Sequence, residues 1–334
     1  MDLRAYVVIL ICTCLVSCDK VSKLTASNKP ASLTEVRFAI PTQMSAALMQ
    51  IAIHQKMLEQ QGIKPIVTTF PSGKRAVKNA LVLHKADFAT TADVPFVKQV
   101  YLKADVTTLA TIFFHDNANQ IVVNKTKGIE TLYDLKGKKV GTQRNSTVHH
   151  FFDSMLKQNN IDESNISMVY LKAEQLPQAL KDGKIDAFSM REPFTSQAVE
   201  LMGSNVKVLS YPGNYIQYEV LVTRKSYLKN NPEIVKAILT ALQQAEIFFH
   251  QHPKQSAQIV SEFTGAPLNV VQQNLDPLRA RLQFSQATLA HWEQLLNWME
   301  VKARIESDSS IVNHIDESVL KELSPSKVSV IAYD

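Results

Sequence analysis

Cysteine is nearly absent from this chain of 334 residues: there are three, Cys12, Cys14 and Cys18, all within the first 18 positions. The rest of the chain therefore offers no disulfide framework, no zinc–cysteine site and no cysteine nucleophile. Glycine is scarce too, at nine. No GxGxxG, P-loop or GxSxG run occurs, which removes the anchors of dinucleotide, triphosphate and serine-hydrolase chemistry. No run interleaves basic with aromatic residues, and the net charge is a modest +5. Neither feature points to nucleic acid. Beyond the N-terminus no apolar run is long enough to cross a bilayer. His149 and His150 are neighbours on an expected helix and point about 100° apart, which does not suit a shared metal. His250 and His252 flank a helix end. We expect no metal and no cofactor.

What is present starts at the N-terminus. "MDLR" supplies a positive charge, and "AYVVILICTCLV" is an apolar run of 12 residues. That length fits the central region of a signal peptide and is short for a membrane span. The run closes on "LVSC", which looks like a bacterial lipobox. Residues 1–17 then read as a lipoprotein leader and Cys18 as the lipid-bearing residue. Asp19 resembles an inner-membrane retention signal of Gram-negative cells. Residues 18–34 are polar, lack periodicity and read as a tether, roughly 20 Å long on average as a flexible coil. The expected location is the cell envelope: the periplasmic side of the inner membrane, or the outer face of a Gram-positive plasma membrane.

The remaining chain is long enough for two domains, and at 45% hydrophobic it can bury substantial cores. From Glu35 strands and helices alternate. "VRFAI", "KPIVTTF" and "DFATT" read as strands, with "AALMQIAIHQKMLEQQ" and "KRAVKNALVLH" as helices between them. The rhythm restarts at "NQIVVN" and "KKVGTQ", followed by a helix over "STVHHFFDSMLKQNN" and strands over "ISMVYL" and "IDAFSM". "YIQYEVLVTR" is a long strand-like run with little alternation. Helices dominate thereafter. Ile234, Ile238, Leu242 and Phe249 form an apolar stripe, and these together with Trp292 and Trp298 read as core. This is an α/β pattern of two similar units.

Five strand-to-helix turns carry small polar residues: "PTQMS", "FPSGK", "TTADVP", "QRNSTVH" and "MREP". Helix capping is the plain explanation for any one of them. Ligands in open α/β sheets, however, bind beyond the carboxyl ends of strands, where helix N-termini present free donors. Five such turns across two matching units favour a ligand site.

Four segments carry a family resemblance. "FPSGKRAVKNALVLHKADFATTADVPFV", "LYDLKGKKVGTQRNSTVHHFF", "IDAFSMREPF" and "NNPEIVKAILTAL" together resemble periplasmic solute-binding proteins for nitrate, taurine and aliphatic sulfonates, and those for thiamine-precursor pyrimidines. The resemblance runs from about Glu35 to Arg304. It implies a type II periplasmic-binding-protein fold, with two α/β lobes joined by crossing strands and a ligand held between them. It places lobe 1 at residues 35–119 plus 220–305, lobe 2 at 120–219 and a C-terminal tail at 306–334. Carried over by position, Gln43 and Met44 lie at the first turn and Gly73 follows the second strand. Thr91, Ala92 and Asp93 form the third turn, Ser146 and Thr147 open a helix, and Glu192 precedes Pro193. Asn145 replaces a frequent glycine, and Arg191 stands where an aromatic residue is usual.

The implied role is a monomeric, lipid-anchored binding component of an ABC importer, working with a permease and its ATPase, and not an enzyme. Helix N-termini, Arg191 and Arg144 favour a small organic anion or zwitterion of the sulfonate or taurine kind. Asp93 and Glu192 as acceptors would instead suit a thiamine-precursor pyrimidine. An enzyme on the same fold is the reading from another class. Arg191 either meets the ligand or pairs with Glu192 or Asp93.

Overall fold

The computed structural model describes residues 33–276, 279–303 and 309–330. The expected leader, Cys18 and most of the tether lie outside them. Two five-stranded sheets organise the rest. The first contains β1 (Thr34–Pro41), β2 (Ile63–Phe70), β3 (Phe88–Ala92), β4 (Thr107–His115) and β10 (Gln217–Thr223), in the order β2-β1-β3-β10-β4. The second contains β5 (Gln120–Asn124), β6 (Lys139–Thr142), β7 (Ser167–Tyr170), β8 (Ala187–Met190) and β9 (Val206–Leu209), in the order β7-β6-β8-β5-β9. Each sheet is the centre of one lobe. In both, the strand that arrives from the other half of the chain runs antiparallel to its neighbours.

Strand burial explains the sequence patterns. β10 is buried at all seven positions because it sits between β3 and β4 with packing on both faces. A strand covered on both sides needs no alternation, and "QYEVLVT" shows little. β2 alternates and tolerates Pro65 because it is an edge strand paired only with β1. Gly62, at φ +79°, ends the preceding helical turn in the left-handed region.

Helices cover both sheets. Pro232–Gln251 turns Val235, Ile238, Leu239, Leu242 and Phe249 into the lobe 1 core at helical spacing. Thr147–Gln158 turns Phe151, Phe152, Met155 and Leu156 into lobe 2. A partly buried ion cluster fixes the outer end of β3. Asp87 accepts from Arg37 N and Nε at 3.0 Å each, from Arg37 Nη2 at 2.7 Å and from Arg224 Nη2 at 3.2 Å.

Three connections join the lobes. Residues 116–119 lead from β4 to β5, and residues 210–216 lead from β9 to β10. The third is the helix Gln286–Ala303. Its Trp292 is fully buried against Phe96 and Phe284 of lobe 1. Further along, Trp298 Nε1 donates to Asp153 of lobe 2 at 2.9 Å, and Lys302 pairs with Asp153 at 2.8 Å and with Glu163. Trp298 is therefore only partly core, with its polar edge crossing between lobes.

Two boundaries differ from the sequence expectation. β10 begins at Gln217 and belongs to the first sheet, so lobe 2 ends before it. Residues 309–330, read as a tail, are packed structure instead. β12 (Val328–Ser329) pairs with β11 (Phe284–Ser285), Ile311 and Leu320 enter the lobe 1 core, and His314 Nδ1 meets Val106 O at 2.7 Å. Their apolar residues are too sparse to read as a periodic element.

Candidate functional site

The carboxyl ends of β2 and β3 in lobe 1 face those of β6 and β8 in lobe 2. Between them lies a cavity of about 10 Å³, room for about one water molecule. The lobes are closed over it. Lys74 Nζ donates to Arg144 O across the mouth at 3.1 Å, and Arg75 lies 3.7 Å from Glu174.

Each wall is a turn whose construction follows from its sequence. Ser72, Gly73 and Lys74 come from the turn after β2. Gly73 is needed for closeness: a Cβ there would lie 2.5 Å from Thr91 Cα. Ala92 and Pro95 open the helix Asp93–Tyr101, and Arg191 follows β8. Gln143, Ser146, Thr147 and Val148 come from the turn after β6. Here Asn145 takes φ +53°, a left-handed conformation that asparagine tolerates.

At the turn after β6 the serine side chain does not cap the helix. Ser146 occupies the N-cap position, but its hydroxyl donates to Gln143 O at 2.6 Å and accepts nothing from the helix. The first N–H groups of a helix lack partners within it. Thr147 and Val148, at the positive end of a 12-residue helix, line the cavity. Lys74 and Arg191 add two cations, and among the described residues no carboxylate lines the cavity. Burial, then the nearby Lys78 and Lys98, destabilise the Lys74 ammonium and lower its ordinary value. Such a site is short of negative charge.

Behind Arg191 lies a buried polar floor. Arg191 Nη1 donates to Gln217 Oε1 at 3.3 Å, while its buried Nε has no partner among the described residues. Asn119 Nδ2 donates to the same Gln217 oxygen at 3.1 Å. Glu219, 1% exposed, faces this group from β10. Burial pushes its carboxyl up to about 8, against the pull of Arg191 and a Ser45 hydrogen bond. Beside this floor His150 meets the Tyr215 hydroxyl at 2.8 Å, and burial, then His291, holds it down to about 3.

The sequence candidates divide accordingly. Gly73, Ala92, Ser146, Thr147 and Arg191 line the cavity. Thr91 is fully buried behind Gly73. Gln43 and Met44 sit at the turn after β1, where Gln43 O accepts from Gln50 Nε2 at 2.9 Å, and neither lines the cavity. Asp93 is fully buried and engaged by protein: Oδ1 accepts from Val94 N at 2.7 Å, and Oδ2 lies 3.0 Å from both Tyr218 N and His291 Nε2. Arg144 turns outward, its guanidinium 4.2 Å over the Tyr170 ring. Glu192 caps the next helix, accepting from Thr195 Oγ1 at 2.5 Å and Ser196 N at 3.2 Å. Its pairing with Arg191 is not formed, nor is a direct Arg191–Asp93 bridge, among the described residues.

Sequence reasoning passed over Lys74, Gln143, Asn119, Gln217 and Glu219. Lys74 lies in the turn "FPSGK". Glu219 had a signal too, as the single charge within an otherwise buried strand. A three-residue group was also missed. His149, Asp153 and Glu163 bring possible metal-ligand atoms within 4.8 Å of one another, and the Lys302 ammonium pairs with both carboxylates there.

A family model described as NMT1/THI5 like matches residues 46–256, well over half of the chain. The chain belongs to the NMT1/THI5-like family. Among known proteins it is 26% identical over 256 residues to one of Escherichia coli (strain K12), provisionally named an aliphatic sulfonates-binding protein. That alignment covers 76% of this chain and 78% of the relative. Among solved structures it superposes on the periplasmic aliphatic sulphonate binding protein SsuA of Escherichia coli with a TM-score of 0.71 at 21% identity, covering 85% of this chain and 98% of that one. It also superposes on the alkanesulfonate-binding protein SsuA of Xanthomonas axonopodis pv. citri bound to MOPS, with a TM-score of 0.71 at 18% identity, covering 86% and 99%. These likenesses show the periplasmic-binding-protein fold in this family member, as the sequence resemblance implied.

Proposed function

We propose that this chain is the substrate-binding component of an ABC importer and that it captures a small organic anion of the sulfonate class between its lobes. One observation carries the reading. Lys74, Arg191 and the uncapped helix N-terminus at Thr147 converge from both lobes on a cavity with no acidic lining. The same observation weighs against an amino-pyrimidine, which needs acceptors, because Asp93 and Glu192 are engaged by protein donors. The sulfonate-binding names among the relatives point the same way.

The mechanism follows from the closure. An organic anion of several heavy atoms exceeds 10 Å³, so both its entry and its accommodation require the lobes to stand further apart about the crossing segments than they do here. The ligand then stabilises the closed state through contacts that the open state lacks. A permease and its ATPase would read that closed form. Cys18, lipidated after cleavage of residues 1–17, would hold the body at the membrane. A panel of alkanesulfonates, taurine, nitrate and hydroxymethylpyrimidine tests the ligand class by thermal shift. A true ligand at 100 times its Kd should add about 2.7 kcal/mol. Stabilisation by the pyrimidine alone would overturn the anion reading. Cys18→Ala should move the protein out of the membrane fraction; retention there as fully as wild type would exclude the anchor.

A further inference from the structure

Glu219 is an acid in a place that argues against one. It lies in β10, paired with Ala92 of β3 and Phe113 of β4, and it is 1% exposed. Its Oε1 has no hydrogen-bond partner among the described residues. The groups around this floor come from every neighbouring element. Ser45 donates from the turn after β1, Asp93 stands at the end of β3, and Arg191 faces it from lobe 2. Tyr215 and His291 join through Arg191 and Asp93, Tyr218 lies next along β10, and His115 ends β4. Burial, then Arg191 and Arg279, holds His115 down to about 3, and burial raises Tyr215 and Tyr218, so these three stay neutral at neutral pH.

The charges can be counted. Arg191 and Lys74 are positive; Asp93 and Glu219, if ionised, are negative, and the four balance. An oxyanion on Arg191 adds one more negative charge in a space closed to bulk water, where an uncompensated charge is costly. Neutrality returns when one carboxyl takes a proton. Asp93 has its oxygens engaged by Val94 N, Tyr218 N and His291 Nε2. Among the described residues Glu219 has one oxygen without a partner and no cation in direct contact.

We propose that Glu219 is a proton-holding specificity residue: it stands behind the closed cleft as the neutral acid, leaves Arg191 to the ligand's oxyanion, and expels that anion when it ionises. The proton comes from solvent and forms an O–H bond on the carboxyl; no other bond changes and no electron moves. The rise of Glu219 to about 8, set by burial, agrees with this arrangement. An added anion raises it further. Affinity is then flat below about pH 7 and falls by up to tenfold per pH unit above about pH 8. The proposal rests on the anion reading of the cleft.

Two measurements test it separately from that reading. Calorimetry with ethanesulfonate across pH 6–9 should show the alkaline loss of affinity in wild type, and Glu219→Gln should bind with the same affinity throughout. If the loss persists in Glu219→Gln, another group such as Lys74 causes it and the proposal fails. Without any ligand, the wild-type Tm should fall relative to Glu219→Gln as pH rises from 5 to 8, since the native acid holds its proton over a range where the unfolded one has lost it. Parallel Tm profiles would overturn the proposal. Failure of ethanesulfonate to bind, with the profiles diverging, would sink the anion reading and leave Glu219 as the proton holder.

Discussion

Truncating Arg191 to alanine is the sharpest perturbation the cleft offers. Its guanidinium has five donors, and among the described residues one is engaged, toward the neutral amide of Gln217 at 3.3 Å. The unused donors include the buried Nε. A hydrogen bond to a charged group contributes about 1.5–3 kcal/mol. An oxyanion taking one or two of them in a desolvated site should lose about 2–4 kcal/mol on truncation, roughly 30- to 700-fold in Kd. The fold should survive. The hydrogen-bond partner left behind is the neutral Gln217 amide; of the carboxyls nearby, burial biases Glu219 toward its neutral form and Asp93 keeps its own protein partners. Arg191→Lys keeps the charge without the planar fork and should recover only part of the affinity. Calorimetry with the best anion of the panel measures all three proteins. Kd values within threefold of one another would refute the argument and reduce Arg191 to a structural residue.

Gly73→Ala should cost about 1–3 kcal/mol, because the new methyl would lie 2.5 Å from Thr91 Cα and backbone must move; an unchanged Tm would show that the turn is looser than described. Asp87→Asn should cost about 3–5 kcal/mol by leaving the buried Arg224 without its carboxylate, with only the Leu81 and Ala86 carbonyls to accept from it. Burial works to raise the Asp87 carboxyl, and Arg37 and Arg224 more than offset it, leaving the value below the ordinary range. Its contribution is therefore present above about pH 4 and lost as pH falls further, so the acid limb of the wild-type stability curve should be steeper than that of Asp87→Asn. Equal limbs would contradict this. Lys302→Ala removes an interlobe ion pair worth about 1 kcal/mol. Small-angle scattering should find more of the open form and calorimetry a weaker ligand; no change in either would show that the C-terminal helix does not hold the lobes.

Much of the fold was legible because its signals are local. Strands buried on both faces read as apolar runs, and Gly62 marked a stop as its left-handed φ requires. The order β2-β1-β3-β10-β4 was not legible from periodicity. It depends on β10 crossing back from lobe 2, and only the family resemblance implied it. The segment 309–330 escaped because its few apolar residues fill gaps in a core built by others. At the cleft, the turns were visible but the direction of each side chain was not. Glu192 and Asp93 looked like ligand acceptors, and their local donors were hidden in backbone N–H groups that no sequence displays. Lys74 and Glu219 matter through partners more than 100 residues away or in the other lobe.

The return of β10 into the first sheet also sets an order of assembly. Lobe 2 is continuous in sequence between β4 and β10, whereas the sheet of lobe 1 has a gap between β3 and β4 that β10 alone fills. A chain emerging from its N-terminus completes lobe 2 first, while β3 and β4 still show unpaired edges. Lobe 1 must then wait for contacts as distant as Thr111 with Gln283, and non-local pairing of that kind is slow to form. Chains halted just after residue 216 should yield a protease-resistant lobe 2 and a digestible remainder. Equal digestion of both would mean that the lobes fold as one unit.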